Sequence, residues 1–160
     1  MTQSAETAVV QREITVKATP ARAFEFFTSQ MAKWWPEKMN IAGVPFAEVV
    51  MEPHPGGRFF ERAASGSECD WGRVLVWEPH ARVVLGWHLN PQWQFDPDPA
   101  HASEVEVRFE ALGPLTTQVV LVHSGFERHG EGFDSLLKSV GSPGGWTLIL
   151  DTFCDQLATS

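Results

Sequence analysis

Glu61, Arg73 and His123 alternate with apolar residues on their own strand faces, and an ionisable group in an apolar enclosure is where acid–base chemistry would be found. In an extended chain alternate residues share a face. Val119, Leu121 and His123 therefore fall together, as do Trp71, Arg73, Leu75 and Trp77, and as do Phe59 and Glu61. If these faces turn toward one another, an imidazole, a guanidinium and a carboxyl meet in one apolar enclosure. Histidine could then pass a proton while Arg73 or Glu61 binds charge. The same residues allow a second arrangement: a structural Glu61–Arg73 ion pair and a buried His123 bonded to a backbone carbonyl.

Other chemistries find less support. His54, His80, His88, His101 and His129 show no HxH or HExxH spacing, and Cys69 and Cys154 stand far apart without a CxxC. No metal and no cofactor are expected, and both thiols are read as reduced. Glu68 with Asp70, and Glu104 with Glu106, are carboxylate pairs beside a turn and on a wet strand face, where solvation keeps them ordinary. Gly56-Gly57 and Gly144-Gly145 lack the residues of a phosphate loop. Twenty acidic against twelve basic residues give a net charge of −8, which argues against nucleic acid and against an anionic membrane surface. No leader pattern opens the chain and no apolar run spans a bilayer, so a cytoplasmic location is expected.

Seven Trp and eleven Phe without a single Tyr put large apolar surfaces where only indole nitrogens make hydrogen bonds. The expected site is a cavity walled by Phe59, Trp71, Trp87, Trp146 and Leu150, with Glu61, Arg73 and His123 as its polar groups. Its ligand would be a hydrophobic or aromatic small molecule. The alternative is that the tryptophans fill a solid core.

The elements that must position these residues follow from periodicity. Residues 9–17 alternate with β-branched side chains, a half-buried strand. Thr19-Pro20 supplies a cap and a first-turn proline for a helix that Pro36 stops, so two short helices are expected over 20–35 with a break near Ser29. Residues 46–126 read as an antiparallel meander, its strands separated by turns such as Pro53-His54-Pro55-Gly56-Gly57 and Leu112-Gly113-Pro114. Within it, 90–102 is too rich in Pro and Asp for a strand and forms a long connection, with Trp93 and Phe95 able to fold over a cavity mouth. A short helix closes at Gly141 as a C′ residue. A long final helix then starts at Ser142-Pro143 and carries an apolar stripe through Trp146, Ile149, Leu150, Phe153, Cys154 and Leu157. The glycines at 144–145 imply close approach of the sheet to its start.

The order of elements, with Pro55-Gly56-Gly57-Arg58-Phe59, Trp71-Gly72-Arg73-Val74, Trp77-Glu78-Pro79, His123-Ser124-Gly125-Phe126 and Gly145-Trp146, resembles the SRPBCC (START-like) superfamily, and within it the bacterial AHSA-type members related to the activator of the heat-shock chaperone ATPase. The resemblance runs from about Arg12 to Leu157. It implies an α+β helix-grip fold, a curved antiparallel sheet wrapped around the C-terminal helix, in one domain over 1–160 with its core at about 9–158. Members of the superfamily are carriers, cyclases, oxygenase domains and co-chaperones, so three functions follow as expectations. One is ligand binding without a defined reaction; another is a cyclase- or hydrolase-like activity using His123 with Arg73 or Glu61; a third is contact with a chaperone in a stress response. Open strand edges and an outward Phe60 would offer a surface to a second copy, giving a homodimer.

Overall fold

The computed structural model describes residues 9–39 and 41–160. Seven strands form one antiparallel sheet in the order β1-β7-β6-β5-β4-β3-β2. They are β1 (Val10–Val16), β2 (Phe46–Met51), β3 (Arg58–Ala63), β4 (Glu68–Glu78), β5 (Arg82–Trp87), β6 (Ser103–Gly113) and β7 (Thr116–Ser124). Helix α1 (Pro20–Ser29) follows β1, with single 3₁₀ turns at Met31–Lys33 and Glu37–Met39. Helices α2 (Phe133–Gly141) and α3 (Leu148–Thr159) follow β7.

Thr19 begins α1 as read from the sequence: its hydroxyl accepts from Arg22 N at 3.2 Å, with Pro20 in the first turn. The helix ends at Ser29 and its buried face carries Phe24 and Phe27. On the sheet, Val105, Val107 and Phe109 of β6 and Val119, Leu121 and His123 of β7 all point inward and are buried. Against this face α3 lays Ile149, Leu150, Phe153 and Leu157. Phe153 is wholly enclosed, its ring 5.3 Å from Phe27 and 5.1 Å from Trp34.

The C-terminal helix departs from expectation. Regular α-helix begins only at Leu148, and 143–147 is a wide π-type turn in which Gly145 leaves helical geometry at φ −95° and ψ −126°. Ser142 does not cap it; its hydroxyl donates back to Ser139 O. Gly141 is the last residue of α2 rather than a left-handed C′ residue. The close approach at Gly145 is to the end of α2, not to the sheet, because a Cβ there would lie 2.2 Å from Val140 O. Arg12 of β1 bridges the bend, donating to Gly141 O on one side and Thr147 Oγ1 on the other.

Strand β4 departs too. Phe59 pairs with Gly72 and Phe60 with Asp70, so Trp71 is an extra residue; Val74 pairs with Leu85 and Val76 with Val84, so Leu75 is another. Two bulges break simple alternation. Trp71, Val74 and Trp77 face the core side, Arg73 lies opposite the outward Gly86, and Leu75 is exposed. At this crossing an added Cβ on Gly72 would sit 1.9 Å from Gly86 O, which only glycine avoids.

Phe60 is outward but not exposed. It is 2% accessible, with the Arg58 guanidinium 4.0 Å above its ring and that of Arg62 at 5.2 Å. It therefore offers no bare apolar patch to a second copy. No helix among the described residues is long and apolar enough to cross a membrane.

Candidate functional site

Between the sheet and the bend before α3 lies a cavity of about 430 Å³. Five of the seven tryptophans line it. Their rings touch in sequence: Trp71 to Trp35 at 5.1 Å, Trp35 to Trp146 at 6.1 Å, Trp146 to Trp87 at 5.7 Å, and Trp87 to Trp93 at 6.3 Å. The gaps between indoles are filled by Met39, Ile41, Leu89, Val140 and Ile149, and the bend contributes bare backbone at Gly144 and Gly145. Lys38 and Ser139 supply the polar side chains that are not indoles. The composition is that of a small-molecule site: mostly apolar, with few polar groups.

Each indole is placed by its element. Trp35 ends the turn after Met31–Lys33 and donates to Met39 O at 3.3 Å. Trp71 comes inward through the first bulge of β4, and its Nε1–H donates to Glu61 at 2.9 Å. Trp146 stands at the bend and donates to His123 Nδ1 at 3.1 Å. Trp93 is 39% exposed at the opening and holds a left-handed φ of 62°. Asn90 enforces that conformation, its side chain accepting from Gln92 N and Gln94 N and its carbonyl from Trp93 N. A left-handed conformation costs a non-glycine residue about 1–2 kcal/mol, and such strain concentrates at functional sites.

Of the residues expected at the site, Trp71, Trp87 and Trp146 line the cavity and the others do not. Phe59 packs behind Trp71, ring centroids 5.1 Å apart. Glu61, 1% accessible, is also behind it, and its carboxylate accepts from Ile41 N at 2.6 Å, Ala42 N at 3.3 Å and the Trp71 indole. Leu150 is turned into the core, and its neighbour Ile149 takes the lining position. Arg73 lies on the outer face, its guanidinium 5.1 Å from Phe95 and 3.4 Å from the Asp70 carboxylate. Phe95 itself stacks on His88 outside and leaves the mouth to Trp93. Glu61, Arg73 and His123 thus share no space, and Glu61 pairs with indole and backbone donors rather than with Arg73. Trp35 and Trp93 complete the wall from irregular segments.

His123 stands one layer back, fully buried between Trp87, Trp146 and Phe126. An indole only donates, so His123 Nδ1 accepts and its proton is on Nε2, which donates to Ser103 Oγ at 2.8 Å. The Ser103 hydroxyl then donates to His129 Nε2 at 2.7 Å. Direction is set along the whole chain by its first member. Burial drives the His123 pKa down to about 3 and, with lesser effect from neighbouring histidines, that of His129 to about 4. The unfolded chain takes these protons near pH 6.5, and the fold refuses them until far lower. Stability contributed by His123 is therefore complete above pH 6.5 and falls at up to about 1.4 kcal/mol per unit as pH drops toward 3. Proton-detected NMR of the imidazoles should find His123 neutral, as the Nε2–H tautomer, from pH 8 to 4; a midpoint near 6.5 would contradict the hydrogen-bond chain.

Cys69 and Cys154 are free, and burial pushes both thiols up, so they remain protonated. No group of three or more His, Cys, Asp or Glu among the described residues is arranged to hold a metal.

A family model described as Activator of Hsp90 ATPase homolog 1-like protein matches residues 17–156. Two solved structures are similar over nearly the whole chain. An anthrahydroquino-gamma-pyrone synthase, Txn09, complexed with SUM is 36% identical, covering 92% of this chain and 96% of its own, with a TM-score of 0.67. CalC, a self-sacrificing resistance protein from Micromonospora echinospora, is 31% identical, covering 94% of each chain, with a TM-score of 0.71. The Aha1 dimer from Colwellia psychrerythraea, at 16% identity, 93% and 95% coverage and a TM-score of 0.59, shares the fold. Among curated proteins none matches the sequence.

Proposed function

The chain belongs to the Activator of Hsp90 ATPase homolog 1-like family, and from that premise we propose that it binds a hydrophobic, aromatic small molecule in the indole-walled cavity. The observation that carries this reading is the convergence of five tryptophans on one opening rather than on a filled core. Flat aromatic faces give a planar ligand large contact area with little side-chain ordering cost. The names of two solved relatives, 36% and 31% identical, support it: one is an anthrahydroquino-gamma-pyrone synthase complexed with SUM, and the other a self-sacrificing resistance protein.

Use of His123 as an acid–base group has weaker support, since a bound molecule would meet indole faces in front of it and its proton affinity is far below neutral pH. A chaperone role draws on the family description alone; the ATPase rate of a purified bacterial chaperone, unchanged by this protein, would separate the two.

Calorimetric titration with anthracene-2-carboxylate, alongside native mass spectrometry of gently purified protein, tests the cavity reading. Binding is expected at one site, and Val140→Phe, which projects a ring into the opening, should weaken it about tenfold or more while the protein stays folded. Unchanged binding in that variant would place the ligand elsewhere.

A further inference from the structure

We propose that the cavity takes an acceptor-rich aromatic: a fused-ring quinone or aryl ketone that also carries a carboxylate or phenolate. This rests on the cavity being a ligand site and adds the polarity of what it holds.

Three of the five indole N–H groups are already committed, to Met39 O, Glu61 and His123. The other two are not. Trp87 Nε1 is enclosed and has no hydrogen-bond partner among the described residues, and Trp93 Nε1 makes none there either. Their rings meet edge-on at the opening. Lys38 is exposed yet lines the cavity, so it stands at the mouth, and it forms no ion pair among the described residues. Among the described residues no acidic side chain lines the cavity, and Glu61 is hidden behind Trp71. Apart from Ser139 and the backbone, every polar group that the described residues offer is therefore a donor.

A buried donor left unbonded is costly, so an oxygen delivered to Trp87 recovers more than an ordinary surface contact would. Water does not reach that nitrogen in the closed arrangement. In this proposal Trp93, exposed on its left-handed turn and edge-on to Trp87, moves aside to admit the ligand oxygen. An anion is opposed at long range by the net charge of −8, which makes the lysine at the opening, with no ion pair among the described residues, the local exception. The competing occupant is a cation caged by indole faces. Such a ligand would bring donors to donors and approach Lys38 with like charge.

Calorimetry with three probes decides: anthraquinone-2-carboxylate, anthracene-2-carboxylate and cationic 9-aminoacridine. The wild-type protein should bind the quinone acid roughly tenfold more tightly than the hydrocarbon acid, with the cation weakest. Trp87→Phe should bring the quinone acid down to the hydrocarbon level and leave the hydrocarbon acid within about twofold. Lys38→Met, a surface change that spares the fold, should weaken both acids about threefold and strengthen the cation. Equal binding of the two acids, or tightest binding of the cation, overturns the inference while leaving the cavity as a ligand site. Binding of none of the three removes both. If Trp87→Phe does not fold, the wild-type ranking and Lys38→Met still separate an acceptor-rich anion from the cation.

Discussion

Gly145→Ala is expected to lower the free energy of unfolding by about 3 kcal/mol, the upper end of overpacking costs. Its added Cβ would stand 2.2 Å from Val140 O, 2.5 Å from Val140 C and 2.6 Å from Ser139 O. All three are backbone atoms at the end of α2, so no side chain can swing aside. The bend itself must open, and with it the position of Trp146, which is attached to β7 through His123. Gly144→Ala is the control: its Cβ meets only Ser142 Oγ at 4.0 Å, and the change is expected to alter stability by less than about 1 kcal/mol. Urea midpoints of the two variants give the comparison, and near-ultraviolet circular dichroism reports Trp146. A loss below about 1 kcal/mol for Gly145→Ala would mean that the bend yields easily and does not set the wall.

Glu61→Ala should cost about 3 kcal/mol or more. Its carboxylate is the acceptor for three donors at once, the amides of Ile41 and Ala42 and the Trp71 indole. Each buried donor left without a partner costs about 1–3 kcal/mol, partly relieved where water can enter. Glu61→Gln keeps the shape and loses less, since one oxygen still accepts while the amide nitrogen faces a donor. Because Ile41 and Trp71 both line the cavity, the variant should also loosen one of its sides. Hydrogen exchange at the Ile41 and Ala42 amides should accelerate by orders of magnitude more than exchange in β6 and β7. Uniform acceleration would show instead that Glu61 supports only global stability.

The fold was legible where local chemistry decides it. The Thr19-Pro20 cap, the unbroken alternation over most of β6 and β7, and the apolar stripe of α3 are each properties of a single segment. What could not be read depends on partners. The bulges in β4 exist because of how β3 and β5 pair with it, and they sent Arg73 outward against its own parity. The kink at Gly145 arises from contact with the preceding helix, although the paired glycines did signal a close approach. At the site, Trp71, Trp87 and Trp146 were found because they lie on strands or next to a periodic helix. Trp35 sits in a turn that has no period, and Trp93 in a long connection, where only its aromatic character gave a signal. His123 was placed inward correctly, yet its chain to Ser103 and His129 joins segments that no local pattern links.

The row of touching indoles has an optical consequence. Five chromophores of one kind, each with a ring neighbour 5.1 to 6.3 Å away, pass excitation among themselves far faster than they emit. Light absorbed by any of them is shared by the group, so the row behaves as an antenna with one common output. A guest that absorbs at longer wavelength would drain all five together, and with them Trp34, whose ring lies 5.8 Å from Trp35, so the emission that survives would come from Trp77, which stands apart from the row.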